Sequence, residues 1–276
     1  MELITIIIVL AVTGIGVGFA EGLLGVGGCF IMVPVTFFVF TTSGFSPDMA
    51  IKLAFGSNLL VVFPTATSGA WAHTKNGAVW WKAGLVLGIC GAIGAVIGTT
   101  ITSQLLGEEI LKPAFGLVIG LGALRMLTWK PQKTEEDPKA QPLLWACCGF
   151  PIGIICGMLG LGGGIITVPV LAMALRFRMH HAVGTSLSIM IFTSFAGSIG
   201  YLINGLSVPN LPPYSIGYVN LLAWACLAIT SIPVAQIGAR TAHKLPATQL
   251  RYIFITVMFF ITLKMVGVFE WLGLPI

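Results

Sequence analysis

Uncharged apolar runs close to the length of a bilayer crossing recur along the whole chain, among them Leu3 to Ala20, Leu53 to Ala72, Ala83 to Leu106 and Val219 to Gly238. A crossing helix needs about 20 apolar residues, because lipid offers no partner for backbone N–H and C=O groups and the helix must satisfy them internally. Charged residues make up 8% of the sequence, against roughly 25% in a soluble domain. An all-α polytopic membrane protein is expected. The runs continue to the C-terminus, so the first is expected to be a span and not a cleavable signal. A net charge of +5 could point to nucleic acid, but Lys and Arg are scattered among short connectors. Membrane orientation accounts for them better, and no nucleic-acid partner is expected. Cys29, Cys90, Cys147, Cys148, Cys156 and Cys226 fall in apolar segments without C-x-x-C spacing. They read as small buried hydrophobes, and neither metal nor cofactor is expected.

The chain is duplicated. At a constant spacing of 135 residues, Gly14, Gly18, Gly22, Leu24, Gly25, Gly27, Gly28 and Pro34 lie over Gly149, Gly153, Gly157, Leu159, Gly160, Gly162, Gly163 and Pro169. At a spacing of 128, Ala54 to Leu59 lies over Ala182 to Leu187, and Thr65 and Gly69 over Thr193 and Gly197. Residues 129–141, hydrophilic and rich in charge, read as a linker between a first membrane repeat, 1–128, and a second, 142–276.

Each repeat holds five apolar segments: about 2 to 20, 27 to 41, 50 to 71, 81 to 104 and 109 to 128, then 142 to 160, 164 to 176, 181 to 204, 217 to 239 and 248 to 270. Five is odd, so the second repeat should enter from the opposite face. Alternate connectors hold Lys75 and Lys82; Lys130, Lys133 and Lys139; Arg176 and Arg178; and Arg240, Lys244 and Arg251. The others hold only Lys52 and Lys112. By the positive-inside rule the linker is cytoplasmic and both termini are extracytoplasmic. Inverted repeats with substrate held near the midplane are the plan of many secondary transporters.

The stretches Gly22 to Gly28 and Gly157 to Gly164 interrupt this pattern, and the segments on either side of them, the second members especially, are short for full spans. They read as broken or half-crossing hairpins at the repeat interface, tolerated only where protein or a polar cavity covers the bare backbone. Glycine lets a ligand approach that backbone, and exposed helix-start amides favour an anion. Gly25, Gly27, Gly28, Gly160, Gly162, Gly163 and Gly164 are therefore expected to bind substrate. The upstream glycines, four residues apart, read as helix-packing positions. The matching pairs Ser57 with Asn58 and Thr185 with Ser186 could donate hydrogen bonds to the anion or tie helices together. Glu21, an ionisable group in a span, is a functional candidate by default and suits proton coupling, with a structural hydrogen bond or a boundary position as the alternatives. Cys156 occupies the matching place. Arg125 and Lys264 read as snorkelling side chains, and His73 and Tyr201, aligned at the ends of the third segments, as interfacial.

The duplicated motif, "GFAEGLLGVGGCFIMVPV" and "GMLGLGGGIITVPVLAMAL" followed by "HAVGTSLSIMIFTSFAGSIGY", resembles the sulfite exporter TauE/SafE family. The resemblance covers nearly the whole chain. It implies an inner-membrane secondary carrier that exports or exchanges a sulfur-containing oxyanion, such as sulfite or sulfoacetate, by alternating access. Carried over by position, the family's hairpin motifs fall on Gly22 to Gly28 and Gly157 to Gly164, and its Gly-Thr-Ser motif on Gly184 to Ser186. The first repeat departs from the last of these, reading Gly56-Ser57-Asn58. An anion channel, or a carrier for another small anion, is the alternative. No membrane-enzyme signature is present: Asp48 and Asp137 lie in connectors, and His-Glu-x-x-His is absent.

Overall fold

The computed structural model describes residues 3–128, 142–242 and 247–268. Ten helices run through them: α1 (Leu3–Leu24), α2 (Cys29–Thr42), α3 (Pro47–Lys75), α4 (Trp81–Leu105), α5 (Glu108–Thr128), α6 (Pro142–Leu159), α7 (Gly164–Pro169), α8 (Met179–Gly205), α9 (Leu221–Ala242) and α10 (Ala247–Met265). Lys130, Lys133, Lys139 and Lys244 lie outside the described residues. Six helices, α1, α3, α4, α6, α8 and α9, are long and apolar enough to cross a membrane. At 14 residues α2 rises only about 21 Å, short of a hydrocarbon core of about 30 Å. The six residues of α7 pass at Pro169 into a π-helical turn, Val170–Ala174, with the Leu175 amide bonded to the Val170 carbonyl at 3.0 Å.

Helix ends follow local chemistry. Ser46 accepts from the Met49 amide at the start of α3, with Pro47 and Asp48 in the first turn. Prolines lie within α2, α3, α5, α6 and α9, which a membrane helix tolerates because its neighbours can satisfy the freed carbonyls.

The long helices α3 and α8 form the centre, whereas α1, α4, α5 and α9 turn Ile8, Ile15, Ile89, Ile93, Leu117, Leu121 and Ile229 outward as a lipid-facing surface. Gly14, Gly18 and Gly22 of α1 press on Leu227, Ser231 and Ala235 of α9, and Gly149, Gly153 and Gly157 of α6 on Leu87, Gly91 and Ala95 of α4. A Cβ at any of the six would strike the neighbouring helix, so the four-residue spacing serves close packing. Both series rise together, so α1 runs parallel to α9 and α6 parallel to α4. By contrast α3 and α8 are antiparallel, with Leu59 beside Gly197 and Leu187 beside Gly69. So are α5 and α10, with Met265 beside Gly116 and Thr262 beside Gly120. Replacing each helix by the one five places away leaves the principal pairs unchanged: α1 with α9 becomes α6 with α4, and α3 with α9 becomes α8 with α4.

Candidate functional site

After α1 and α6 the chain turns through glycines in the left-handed region, Gly25 (φ 62°) and Gly27 (φ 74°) in one half, Gly160 (φ 60°), Gly162 (φ 66°) and Gly163 (φ 120°) in the other. A side chain there costs roughly 1–2 kcal/mol per residue in backbone strain. The two hairpin arms are unequal. Gly22, near the end of α1, reaches His73 in the last turn of α3, and Gly157 of α6 reaches Tyr201 near the end of α8. Thus the first arm of each hairpin runs to the far end of the central helices, and the following turn climbs back before the short arm begins. The half-crossing expectation therefore fits the second arms, α2 and α7, and not the first.

The two turns meet. A Cβ on Gly164 would collide with the backbone of Val26, and one on Gly27 would stand 3.5 Å from the Leu161 carbonyl oxygen. Each turn also rests on the third helix of the other half, Gly25 on Val183 and Gly27 on Met190, Gly160 on Phe55 and Gly162 on Val62. Val183 matches Phe55, and Met190 matches Val62, at the spacing of 128 found in the sequence.

Three of the four side chains in the hydroxyl pairs bond to backbone of the opposite half. Ser57 Oγ accepts from the Asn220 amide at 2.9 Å, and Thr185 Oγ1 from the Trp80 amide at 3.0 Å. Asn220 and Trp80 immediately precede α9 and α4, so these side chains satisfy amides at helix starts of the opposite half. Ser186 Oγ donates to the Gly25 carbonyl at 3.0 Å, and Thr193 Oγ1 to the Gly162 carbonyl at 2.8 Å, each fixing a turn. The antiparallel register of α3 and α8 sets Ser57 and Asn58 on the order of 20 Å from Thr185 and Ser186, so the structure does not gather the four into one cluster.

Two polar side chains stand apart. Asn58 is fully buried, and neither its amide oxygen nor its nitrogen has a hydrogen-bond partner among the described residues. Glu21 is also fully buried, and neither carboxyl oxygen meets a partner in hydrogen-bond geometry, although the Gly28 amide bears on it. A buried polar group without a partner costs about 1–3 kcal/mol, so a fold keeps one where it meets something else. Cys29 lies within electrostatic reach of both Glu21 and Cys156. Cβ positions at Gly27 and Gly163 fall 3.7 Å from Cys29 Sγ and 3.6 Å from Cys156 Sγ, with Met190 between them. All six cysteines are free. No group of three His, Cys, Asp or Glu side chains among the described residues is placed to hold a metal.

His73 and Tyr201, expected at the interface, are 1% and 0% exposed. His73 Nε2 lies 2.9 Å from the Gly22 carbonyl, and Tyr201 Oη donates to the Gly157 and Met158 carbonyls at 3.1 and 3.2 Å. Each satisfies a carbonyl near the end of a helix, which has no intrahelical amide to accept from. Their alignment in the duplicated sequence was the signal. Arg125 is exposed, and Lys264 lies over the Phe38 ring at 5.9 Å. A cavity of about 360 Å³ between α1, α2 and the segment before α9, lined by Leu10, Phe40, Tyr214 and Asn220 among others, lies apart from the glycine turns.

A family model described as "Sulfite exporter TauE/SafE" matches residues 10–265. Among curated relatives, a probable membrane transporter protein of Methanocaldococcus jannaschii is 29% identical over 261 residues, covering 93% of this chain and 94% of its own length. One from Haemophilus influenzae is 26% identical over 261 residues, covering 95% and 98%. The probable membrane transporter protein YunE of Bacillus subtilis is 29% identical over 216 residues, covering 72% and 79%. No solved structure matches.

Proposed function

Since the chain belongs to the sulfite exporter TauE/SafE family and is a multi-pass membrane transporter rather than an enzyme, we propose that it carries a small sulfur-containing oxyanion across the cell membrane by alternating access. The observation that carries this reading is the meeting of two glycine turns, one from each half, near two buried polar side chains, Asn58 and Glu21, whose polar atoms have no hydrogen-bond partner among the described residues. Amides of Gly27, Gly28, Gly162, Gly163 and Gly164, where the turns meet, line the anion's place, with Asn58, about one turn of α3 from the Val62 on which Gly162 rests, as a donor, while Gly25 and Gly160 shape the outer ends of the two turns. Ser57, Thr185 and Ser186 hold the surrounding backbone. Glu21, buried with neither carboxyl oxygen partnered in hydrogen-bond geometry among the described residues, serves as the coupling group.

The two halves, residues 1–128 and 142–276, work as inverted repeats. Helix directions support this. If the second half enters from the opposite face, its fourth helix points the way the first half's first helix does, and α9 does run parallel to α1. A same-way repeat would make that pair antiparallel. Rocking of one half against the other then opens the turns to each side alternately. On this reading the linker lies in the cytoplasm and both termini outside an inner membrane, which the distribution of basic residues over the connectors supports.

Counterflow in proteoliposomes tests the reading. Vesicles loaded with unlabelled sulfite or sulfoacetate should take up labelled anion transiently, and Asn58→Ala should raise KM by about tenfold, the worth of one lost hydrogen bond of roughly 1.4 kcal/mol. Flux that neither saturates nor exchanges, in folded protein, would replace the carrier by a channel.

A further inference from the structure

Among the described residues Lys52 is the only buried lysine or arginine, with 7% of its surface exposed. It belongs to the sparsely basic set of connectors, which holds only Lys52 and Lys112. Burial takes a cation out of water, and the positive-inside rule supplies no reason for one at this end. Three groups meet its ammonium. Asp48 Oδ2, one turn back on α3, lies at 3.0 Å, the Ser103 carbonyl near the end of α4 at 3.5 Å, and the centre of the Tyr218 ring, from the second half, at 6.0 Å. The Asp48 side chain is 51% exposed. An ion pair with one partner half in water stabilises a fold little, so the pair by itself does not account for burying the lysine.

The place of Lys52 on α3 ties it to the glycine turns. Phe55 and Gly56, three and four residues on, are its neighbours along the helix surface. Phe55 bears on Gly160 of the second turn and stacks on Phe115 at 5.8 Å, while Gly56 bears on the Tyr218 carbonyl. Asn58 follows six residues after Lys52, a rise of about 9 Å. The two halves differ here. At the spacing of 128, Lys52 is matched by His180 and Asp48 by Arg176. A basic side chain thus stands near the start of both central helices, but only in α3 does a carboxylate precede it by four residues.

We propose that Lys52 receives the transported oxyanion between the Asn58 site and the outside, and that Asp48 competes with the anion for the Lys52 ammonium. The proposal rests on the reading of the protein as an oxyanion carrier, and adds an outer station to it. A sulfur oxyanion offers an ammonium the same kind of charged oxygen acceptor as a carboxylate. The anion takes the place of Asp48, whose side chain swings into the water it already meets, and the return of Asp48 releases the anion. Tyr218 covers the lysine from the second half, so rocking of the halves opens and closes the station. With a competing carboxylate at one end only, release is favoured at that end.

The concentration dependence of labelled sulfite exchange in proteoliposomes, beside thermal unfolding in detergent, tests this. A plain structural ion pair is broken equally by Lys52→Gln and Asp48→Asn, so both would move the unfolding temperature alike and the KM in no opposed sense. The proposal separates them. Lys52→Gln should raise KM by about tenfold, the effect of one lost charge-assisted hydrogen bond, and Lys52→Arg should keep it within about threefold of wild type. Asp48→Asn removes the competitor and should lower KM by about threefold, less at high ionic strength. An unchanged KM in Lys52→Gln, or a KM in Asp48→Asn that rises or stays as it was, overturns the proposal. If Lys52→Gln does not fold, Asp48→Asn decides alone, a lowered KM supporting the station and any other result overturning it. The wild type separates the two levels. Saturable wild-type exchange with unmoved variants removes only the role given to Lys52, whereas a folded wild type without saturable exchange removes the carrier reading and the station with it.

Discussion

Ser57 and Thr185 mark the point at which residue-level reading and structure part. A hydroxyl in a span beside a glycine break can face a ligand or a helix start, and the sequence holds nothing that separates these. The structure turns both toward the amides that open α9 and α4. Ser57→Ala or Thr185→Ala should therefore cost about 1–3 kcal/mol of stability, because a buried amide loses its acceptor, and should leave the KM for anion within about twofold. Thermal unfolding in detergent beside counterflow kinetics measures both. A raised KM without loss of stability would return these residues to the binding site. Glu21 differs because its chemistry speaks without a partner. An acid in a span is legible as a functional candidate from sequence, whereas the want of a partner in hydrogen-bond geometry among the described residues is visible only in three dimensions.

Helices and turns carry the glycines in two distinct roles. Along α1 and α6 they permit close approach, and in the turns they permit a left-handed backbone. Gly153→Ala would press a methyl onto the backbone of Gly91, so it should destabilise the protein by about 1–3 kcal/mol. Gly16→Ala, on the same kind of helix but with nothing within 4 Å, should be neutral or slightly stabilising. Unfolding temperatures of the two variants check this, and equal effects would sink the packing argument. The four-residue spacing made α1 and α6 legible as packing helices. The unequal hairpin arms were not legible, because run length reports how much chain is apolar and not how deep a turn lies.

For the whole molecule, the arrangement of the halves predicts sidedness. In a cysteine-free background, Asn76→Cys should react with an impermeant thiol reagent only from the cytoplasmic side, and Ser207→Cys only from outside, the two positions following the third helix of opposite halves. Labelling of both from one side would refute inversion. What the sequence by itself determined is the class of molecule: a membrane-embedded helical protein, duplicated, with a glycine break in each half and an acid, Glu21, just before the first break. Those properties live in composition and spacing, since lipid demands apolar length and backbone freedom demands glycine. The tertiary structure alone decided which polar groups are satisfied by neighbours and which are left for something else. Hydrogen bonding pairs atoms that lie far apart in the chain, such as Ser57 with Asn220 and His73 with Gly22, and only the packed arrangement of α1, α3, α8 and α9 brings them within reach.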